Sequence, residues 1–454
     1  MQSVNPATGQ LIRNYPEHGP AECAAILDDV ARAARDFSRT TFAGRARCMT
    51  ALAELLVAEA PAHARLITAE MGKLVGEAEA EVRKCAQVCT YYAKRAEAML
   101  APTPVRSIVA ESFVTFEPLG TILGIMPWNF PFWQAIRFAA PAVMAGNAVV
   151  LKHAPGVCGC ALAVEELFCR AGFPENVFRT LLIPLDLVES VIAHPGVRGV
   201  SLTGSVRAGR SVAALAGKHL KKSVLELGGS DPCIVLADAD LSAAARTGAA
   251  ARLQGCGQVC IASKRFIVER PVAERFTELL VAAMSRYVPG DPLDPATTLG
   301  PMARDDLRQA LSTQIGTCLA MGARLVLGGH AVPGPGFFHE PTLLADVAPG
   351  MPAYDEELFG PAAALLVAED AEHALFLAND TPYGLGAGIW TEDVDRARTM
   401  ARSIEAGTVT INGMTKSEPG LPFGGVKNSG YGRELSEFGI REFVNIKTLR
   451  VFAD

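Results

Sequence analysis

Cys260 closes the segment Gln254-Gly255-Cys256-Gly257-Gln258-Val259-Cys260, just after a glycine-bearing turn. Glu226 lies 34 residues upstream in Val224-Leu225-Glu226-Leu227-Gly228-Gly229. A thiol must lose its proton to attack a carbonyl, and a carboxylate held among apolar residues is suited to take it. Val224, Leu225 and Leu227 would desolvate Glu226 and raise its pKa toward neutrality, where a general base works best. A surface glutamate on an edge strand fits these neighbours poorly. No histidine stands near either segment, so a Cys–His pair is not offered locally.

The elements around these residues follow from periodicity. From about Ala21 to Leu100 the chain is rich in Ala, Glu, Arg and Leu at helical spacing. Ser107–Glu117 carries Ile108, Val109, Phe113, Val114 and Phe116, a pattern that suits a strand or hairpin. From Gly120 onward short apolar strands alternate with helices: Thr121–Met126, Ala148–Lys152, Val177–Leu182 and Gly199–Leu202 are the expected strands. That alternation predicts an α/β fold with a parallel, doubly wound sheet. A second series follows Gly229, with strands at Pro232–Leu236, Arg265–Val268 and Val409–Asn412 and helices at Leu241–Leu253 and Val272–Tyr287. Two α/β domains joined near Glu226–Gly229 are expected.

Other segments carry binding chemistry. Ser201-Leu202-Thr203-Gly204-Ser205-Val206-Arg207-Ala208-Gly209 follows an apolar run and opens a helix. A tight turn at a helix N-terminus supplies amide donors and a positive dipole end to a pyrophosphate, although an ordinary turn reads the same way. Lys152 ends an apolar strand, where it either grips ribose and phosphate oxygens or meets solvent. Met126-Pro127-Trp128-Asn129-Phe130-Pro131 also follows a strand. Arg137, among Trp133, Ile136 and Phe138, needs an anionic partner: an internal carboxylate or a bound one.

Gly-Gln-Val-Cys260, Glu226-Leu-Gly-Gly, Pro-Trp-Asn129-Phe-Pro, Thr-Gly204-Ser205-x-x-x-Gly209 and Glu357-Leu-Phe359-Gly-Pro together resemble the aldehyde dehydrogenase superfamily. The resemblance extends from Asn5-Pro6-Ala7-Thr8-Gly9 to Phe443–Val451. It implies two Rossmann-type α/β domains plus a small β element for oligomerisation: residues 1–228 for the dinucleotide, with a hairpin at about 105–118 inserted, 229–425 for catalysis, and 426–454 returning to the cofactor domain. Cys260 is then the nucleophile, set apart by its motif from ten other thiols, and Glu226 the base, chiefly for the hydrolytic water. The Asn129 amide and the Cys260 N–H form the oxyanion hole. Trp128, Lys152, Gly204, Ser205, Gly209, Leu227, Glu357 and Phe359 are the expected cofactor contacts. Leu421–Gly430 is expected to shape the cleft. Where family members that prefer NAD carry a glutamate three residues after the lysine, this chain has Pro155, which favours NADP alongside NAD.

Finer segments, among them Glu226-Leu-Gly-Gly-Ser-Asp-Pro232 and Tyr431-Gly-Arg-Glu-Leu435, resemble short bacterial succinate-semialdehyde dehydrogenases. The substrate carboxylate would then meet Arg137, with Arg252 and Ser417 as further candidates. Family members with an arginine six residues before the nucleophile differ from this chain, which has Gln254. Glutarate semialdehyde stays open, since one methylene discriminates by only about 1–3 kcal/mol. So do a broader range of aldehydes and, in another class, a catalytically silent protein on this fold. Glu226 favours hydrolysis over transfer to coenzyme A.

The bulk properties agree with a large globular protein. The chain has 454 residues, 50% hydrophobic and 20% charged, with a net charge of −6. That charge gives no reason to expect nucleic acid or an anionic membrane surface. No signal peptide and no bilayer-spanning stretch is expected, and the reading is a cytoplasmic homodimer or homotetramer. Eleven cysteines are scattered without zinc-ligand spacing, so reduced thiols and no metal are expected. Cys256, four residues before Cys260, is either an oxidative partner to it or a small buried residue.

Overall fold

The computed structural model describes residues 1–106, 108 and 111–452. Ser107 and Val109 of the expected hairpin, with Ala110, lie outside the described residues. Four helices fill the Ala/Glu/Leu-rich N-terminal region: Pro20–Phe37, Phe42–Ala58, Ala60–Met71 and Val75–Met99.

The first sheet has six strands in the order Gly430–Tyr431, Lys222–Glu226, Val197–Thr203, Thr121–Met126, Ala148–His153 and Phe178–Thr180. The last five of these strands run parallel, and Gly430–Tyr431 closes one edge antiparallel to Lys222–Glu226. Strand order reverses at Thr121–Met126: the chain continues first to one side and then, from Val197, to the other. In such sheets the crevice beyond the strand ends at the reversal is where ligands bind. Every residue of Ala148–His153 is buried, as expected of a strand covered on both faces.

Asp231–Val235 opens the second sheet after a crossing of four residues, Leu227–Ser230. Its seven strands lie in the order Arg324–Leu327, Thr342–Ala345, Ala362–Ala368, Ser263–Glu269, Asp231–Val235, Gly386–Trp390 and Thr408–Ile411. All pair in parallel except the edge strand Arg324–Leu327. A third sheet joins Thr103–Val105, Glu111–Pro118 and Val444–Val451, antiparallel throughout.

Two details aim the site. The helix Pro131–Met144 is buried along its whole length. Its first free N–H groups, those of Phe132 and Trp133, donate to Glu81 Oε1 at 2.9 and 3.0 Å. That carboxylate is balanced by Lys73, so the helix start is fixed by an ion pair from the neighbouring helix. After Leu241–Leu253 the chain turns through Gly255, Cys256 and Gly257, all left-handed, at φ 58°, 56° and 70°. A Cβ on Gly257 would come within 2.5 Å of Arg252 Nη2, so this turn needs glycine there.

Candidate active site

Cys260 sits at the end of that left-handed turn, on the wall of a cavity of about 380 Å³. Its loop is tied down from several sides. Lys264 Nζ donates to the carbonyls of Val259 (3.0 Å) and Cys260 (2.7 Å) and pairs with Glu357 Oε1 at 3.1 Å. Gln258 spans the turn, giving Nε2 to Gly255 O at 3.1 Å and accepting from Ala303 N at 2.9 Å. Both Glu77 carboxylate oxygens accept from Gly255 N, at 3.2 and 3.1 Å.

Asn129 follows the end of Thr121–Met126, and its Nδ2 donates to Gln258 O at 2.8 Å. One amide N–H thereby fixes the nucleophile loop, and the second has no partner among the described residues. The Cys260 backbone N–H is likewise unspent among them. Two donors near the thiol are what an oxyanion requires. Burial pushes the Cys260 thiol up to about 12, against the lowering pull of Lys264 and Arg137. A resting thiol, not a thiolate, is the consequence.

Glu226 ends the strand Lys222–Glu226. Among the described residues neither of its carboxylate oxygens has a hydrogen-bond partner, although the residue is buried. Burial first, then the neighbouring Glu434, raise its pKa well above the usual carboxylate range, with Arg137 and Arg433 opposing. Its side chain lies against Gly424, where an added Cβ would meet Oε1 at 2.6 Å. Glu226 does not itself line the Cys260 cavity, whereas Arg137 and Phe423 do.

The substrate candidates separate. Arg137 faces the cavity, but its Nε pairs with Glu434 and its Nη2 reaches Thr203 Oγ1 at 3.4 Å. The guanidinium also lies 4.8 Å from the Phe423 ring centre. Ser417 lines the cavity as well. Arg252 does not, and its assignment to substrate is corrected. It is fully buried and donates to the carbonyls of Gly257, Leu358 and Gly360, bracing the nucleophile turn against the Phe359 loop. All three bonds run from Nη2, past the end of its helix; Nε and Nη1 have no hydrogen-bond partner among the described residues, but they are buried and the residue is not part of the cavity wall.

Cys256 and Cys260 are both free thiols, facing different cores. Cys256 packs with the second sheet and Cys260 against the first, so a bond between them would require the turn to be rebuilt.

Around the strand ends of the first sheet, the expected cofactor residues do gather. Gly204 N donates to Glu226 O at 2.9 Å. Ser205 caps the helix Val206–Lys218, accepting from Ala208 N at 3.3 Å. Gly209 lets that helix touch Leu227: a Cβ there would come 2.5 Å from Leu227 Cδ1. Lys152, nearly buried at the end of Ala148–His153, has no ion pair or hydrogen bond among the described residues. An unpaired buried ammonium beside a capped helix N-terminus fits a phosphate- and ribose-bearing ligand. Glu357 accepts from Gly229 N at 3.1 Å, and Phe359 meets Trp128 edge-on at 5.8 Å between ring centres. Pro155 is exposed just past Lys152.

A family model described as the aldehyde dehydrogenase family matches residues 1–449. The chain belongs to the aldehyde dehydrogenase family. Among its curated relatives, a succinate semialdehyde dehydrogenase named for NAD(P)+ from Escherichia coli (strain K12) is 48% identical over 447 residues, covering 98% of this chain and 97% of the other. A succinate-semialdehyde dehydrogenase named for NADP(+) from Mycobacterium avium (strain 104) is 47% identical over 454 residues, with 98% and 96% covered. The crystal structure of succinic semialdehyde dehydrogenase from Streptococcus pyogenes, in complex with NADP+, superposes with a TM-score of 0.98 at 38% identity, over all of both chains.

For an aldehyde dehydrogenase of this kind, three groups in the site escaped the sequence reading. Lys264 and Glu434 stand in segments whose likeness to relatives was evident, yet neither pattern assigned them a partner. Lys84, on the Val75–Met99 helix, had no local signal at all. Among the described residues, no helix is long and apolar enough to cross a membrane, and no cluster of His, Cys, Asp and Glu could hold a metal ion.

Proposed function

We propose that this enzyme oxidises succinate semialdehyde to succinate, using NADP or NAD. The observation that carries the reading is the cavity beyond Cys260. Its wall bears Lys84, Arg137 and Lys416 together with the Ser417 hydroxyl, a surface suited to an aldehyde with a carboxylate at its far end. Of the cavity's three acidic groups, Glu81 is committed to Lys73 and Glu77 to Gly255, while Glu418 is exposed to solvent. The names of the relatives support the same substrate.

In this reading the Cys260 sulfur attacks the aldehyde carbon and passes its proton to Glu226, whose raised pKa makes it a competent acceptor once ionised. The oxygen of the resulting thiohemiacetal is held by the Cys260 N–H and the free Asn129 N–H. Bound NADP or NAD would supply the hydride acceptor, and Lys152, the Gly204–Ser205 turn, Glu357, Trp128 and Phe359 would hold it. Loss of hydride leaves an acyl thioester on Cys260. Glu226, having given the thiol's proton to solvent and swung from Gly424 toward the cavity, takes a proton from the water that hydrolyses the thioester and frees the Cys260 thiolate and the acid. Pro155, without a carboxylate, supports acceptance of a 2′-phosphate.

A cytoplasmic homodimer or homotetramer completes the proposal. The outer strand Val444–Val451 is exposed along nearly its whole length and carries Ile446 and Leu449, a surface that suits pairing with another copy. The test is the rate of nicotinamide reduction with succinate semialdehyde and with uncharged butyraldehyde, each with NADP and NAD. A kcat/KM at least about tenfold higher for the semialdehyde, roughly 1.4 kcal/mol, supports the assignment. Equal or reversed preference rejects it, and a KM for NADP far above that for NAD rejects the cofactor reading.

A further inference from the structure

We propose that the Lys84 ammonium, with the Ser417 hydroxyl beside it, is the seat of the substrate carboxylate. This rests on the reading of the substrate as an aldehyde acid. Arg137 already has an anion: its Nε is on Glu434, its Nη2 reaches Thr203 and the Phe423 ring lies against it. Arg252 points into backbone carbonyls, and Gln254 is neutral. Lys416 is exposed at the rim. Lys84 is the half-buried cation on the cavity wall that has no carboxylate partner among the described residues.

Its surroundings hold it in place without neutralising it. Nζ donates to Ser417 Oγ at 2.7 Å and lies 4.2 Å from the centre of the Trp133 ring. An ammonium has three N–H groups, so two remain for a carboxylate, and the Ser417 O–H can donate a third bond. Trp133 faces the cation with its ring and leaves the charge uncancelled. Glu81, one helical turn before Lys84, is spent on Lys73 and on the Phe132 and Trp133 N–H groups. Burial, then Arg137, pull the Lys84 pKa down to about 8, with Cys85 and Glu81 opposing and Lys416 adding to the fall. A positive charge under that strain gains from any anion placed against it.

Lys84, Ser417 and Cys260 line the same cavity, so one substrate can meet all three. A substrate without the carboxylate would find Lys84 desolvated and unpaired, so the same side chain attracts the acid and penalises the neutral aldehyde.

The decisive measurement is kcat/KM for succinate semialdehyde relative to butyraldehyde, with NADP saturating, in wild type, Lys84→Met and Lys84→Arg. Met keeps the length of the stem and removes the charge. The expected result is a fall of at least 30-fold in the ratio for Lys84→Met, carried by KM for the semialdehyde, with partial recovery in Lys84→Arg. A wild type that prefers the semialdehyde while Lys84→Met keeps that preference within threefold overturns the role of Lys84 and leaves the substrate standing. A wild type without preference overturns the substrate reading itself. A second arm needs no variant. Between pH 7 and pH 9.5 the wild-type ratio should fall at least fivefold as Lys84 loses its proton; Glu77, Glu81, Glu418, Arg137 and Lys416 are the other charged groups on the cavity wall. A flat ratio overturns the proposal even if Lys84→Met fails to fold.

Discussion

Desolvation governs both ends of the proton transfer: the thiol of Cys260 and the carboxyl of Glu226 each have raised pKa values because each is buried. Neither is ready alone. Their difference can be read by removing one partner: Glu226→Gln should leave a burst of reduced nicotinamide near one equivalent per site and slow the steady state by about 100-fold or more, because thioester hydrolysis loses its base. A slow burst with no steady-state lag would assign Glu226 to thiol activation instead. Asn129→Ala should lower kcat by about 100- to 1,000-fold with little loss of melting temperature. Near-normal turnover would remove Asn129 from the oxyanion hole. Cys260 and Glu226 could be picked out as candidates from their local runs, whereas Asn129 came from the resemblance of its motif to the family's. Arg252 misled for a physical reason: linear distance to Cys260 says nothing of direction, and a left-handed turn lies between them. Lys84 was silent because the cavity is assembled from segments more than 300 residues apart, as its bond to Ser417 shows.

The Lys152–Pro155 segment illustrates how an element is locked. His153 is buried, with Nε2 2.9 Å from Pro131 O and Nδ1 accepting from Ala154 N at 2.9 Å. Both bonds need the neutral ring with its proton on Nε2. Burial lowers its pKa from 6.5 to about 4, so the unfolded chain binds this proton first as pH falls. Stability from this group is present above about pH 6.5 and is lost on the way down to about pH 4, up to roughly 3 kcal/mol. His153→Gln should flatten the decline of melting temperature between pH 6.5 and 4.5; an unchanged slope would show that other groups set it. Gly209→Ala should force the Val206–Lys218 helix away from Leu227, costing about 1–3 kcal/mol and raising KM for NADP more than for aldehyde. Equal KM values would leave Gly209 a packing residue only. Thr121–Met126 and Leu241–Leu253 were readable to the residue, being bounded by turn signals and strongly patterned. Ala362–Ala368 was not: Ala-Ala-Ala-Leu-Leu-Val-Ala has helix-forming content, and only its place between Thr342–Ala345 and Ser263–Glu269 makes it a strand.

At the scale of the molecule, the third sheet presents an outer edge with Ile446 61% and Phe452 62% exposed. Ile446→Glu with Leu449→Glu should lower the sedimenting mass of the native protein by at least half while leaving its far-ultraviolet spectrum unchanged. An unaltered mass would place the oligomer contact elsewhere. The cavity has another consequence. Its reacting groups come from strand ends and a braced turn, whereas Lys84 and Ser417 come from a helix and a loop, and among the described residues their own side chains bond each other and not the Cys260 turn, which that helix meets through Glu77. Appetite and chemistry are thus inherited on different parts of the chain. A descendant could exchange a few wall residues and take up a new aldehyde in a handful of mutational steps, each of them leaving the thiol, its oxyanion donors and the dinucleotide cradle in working order.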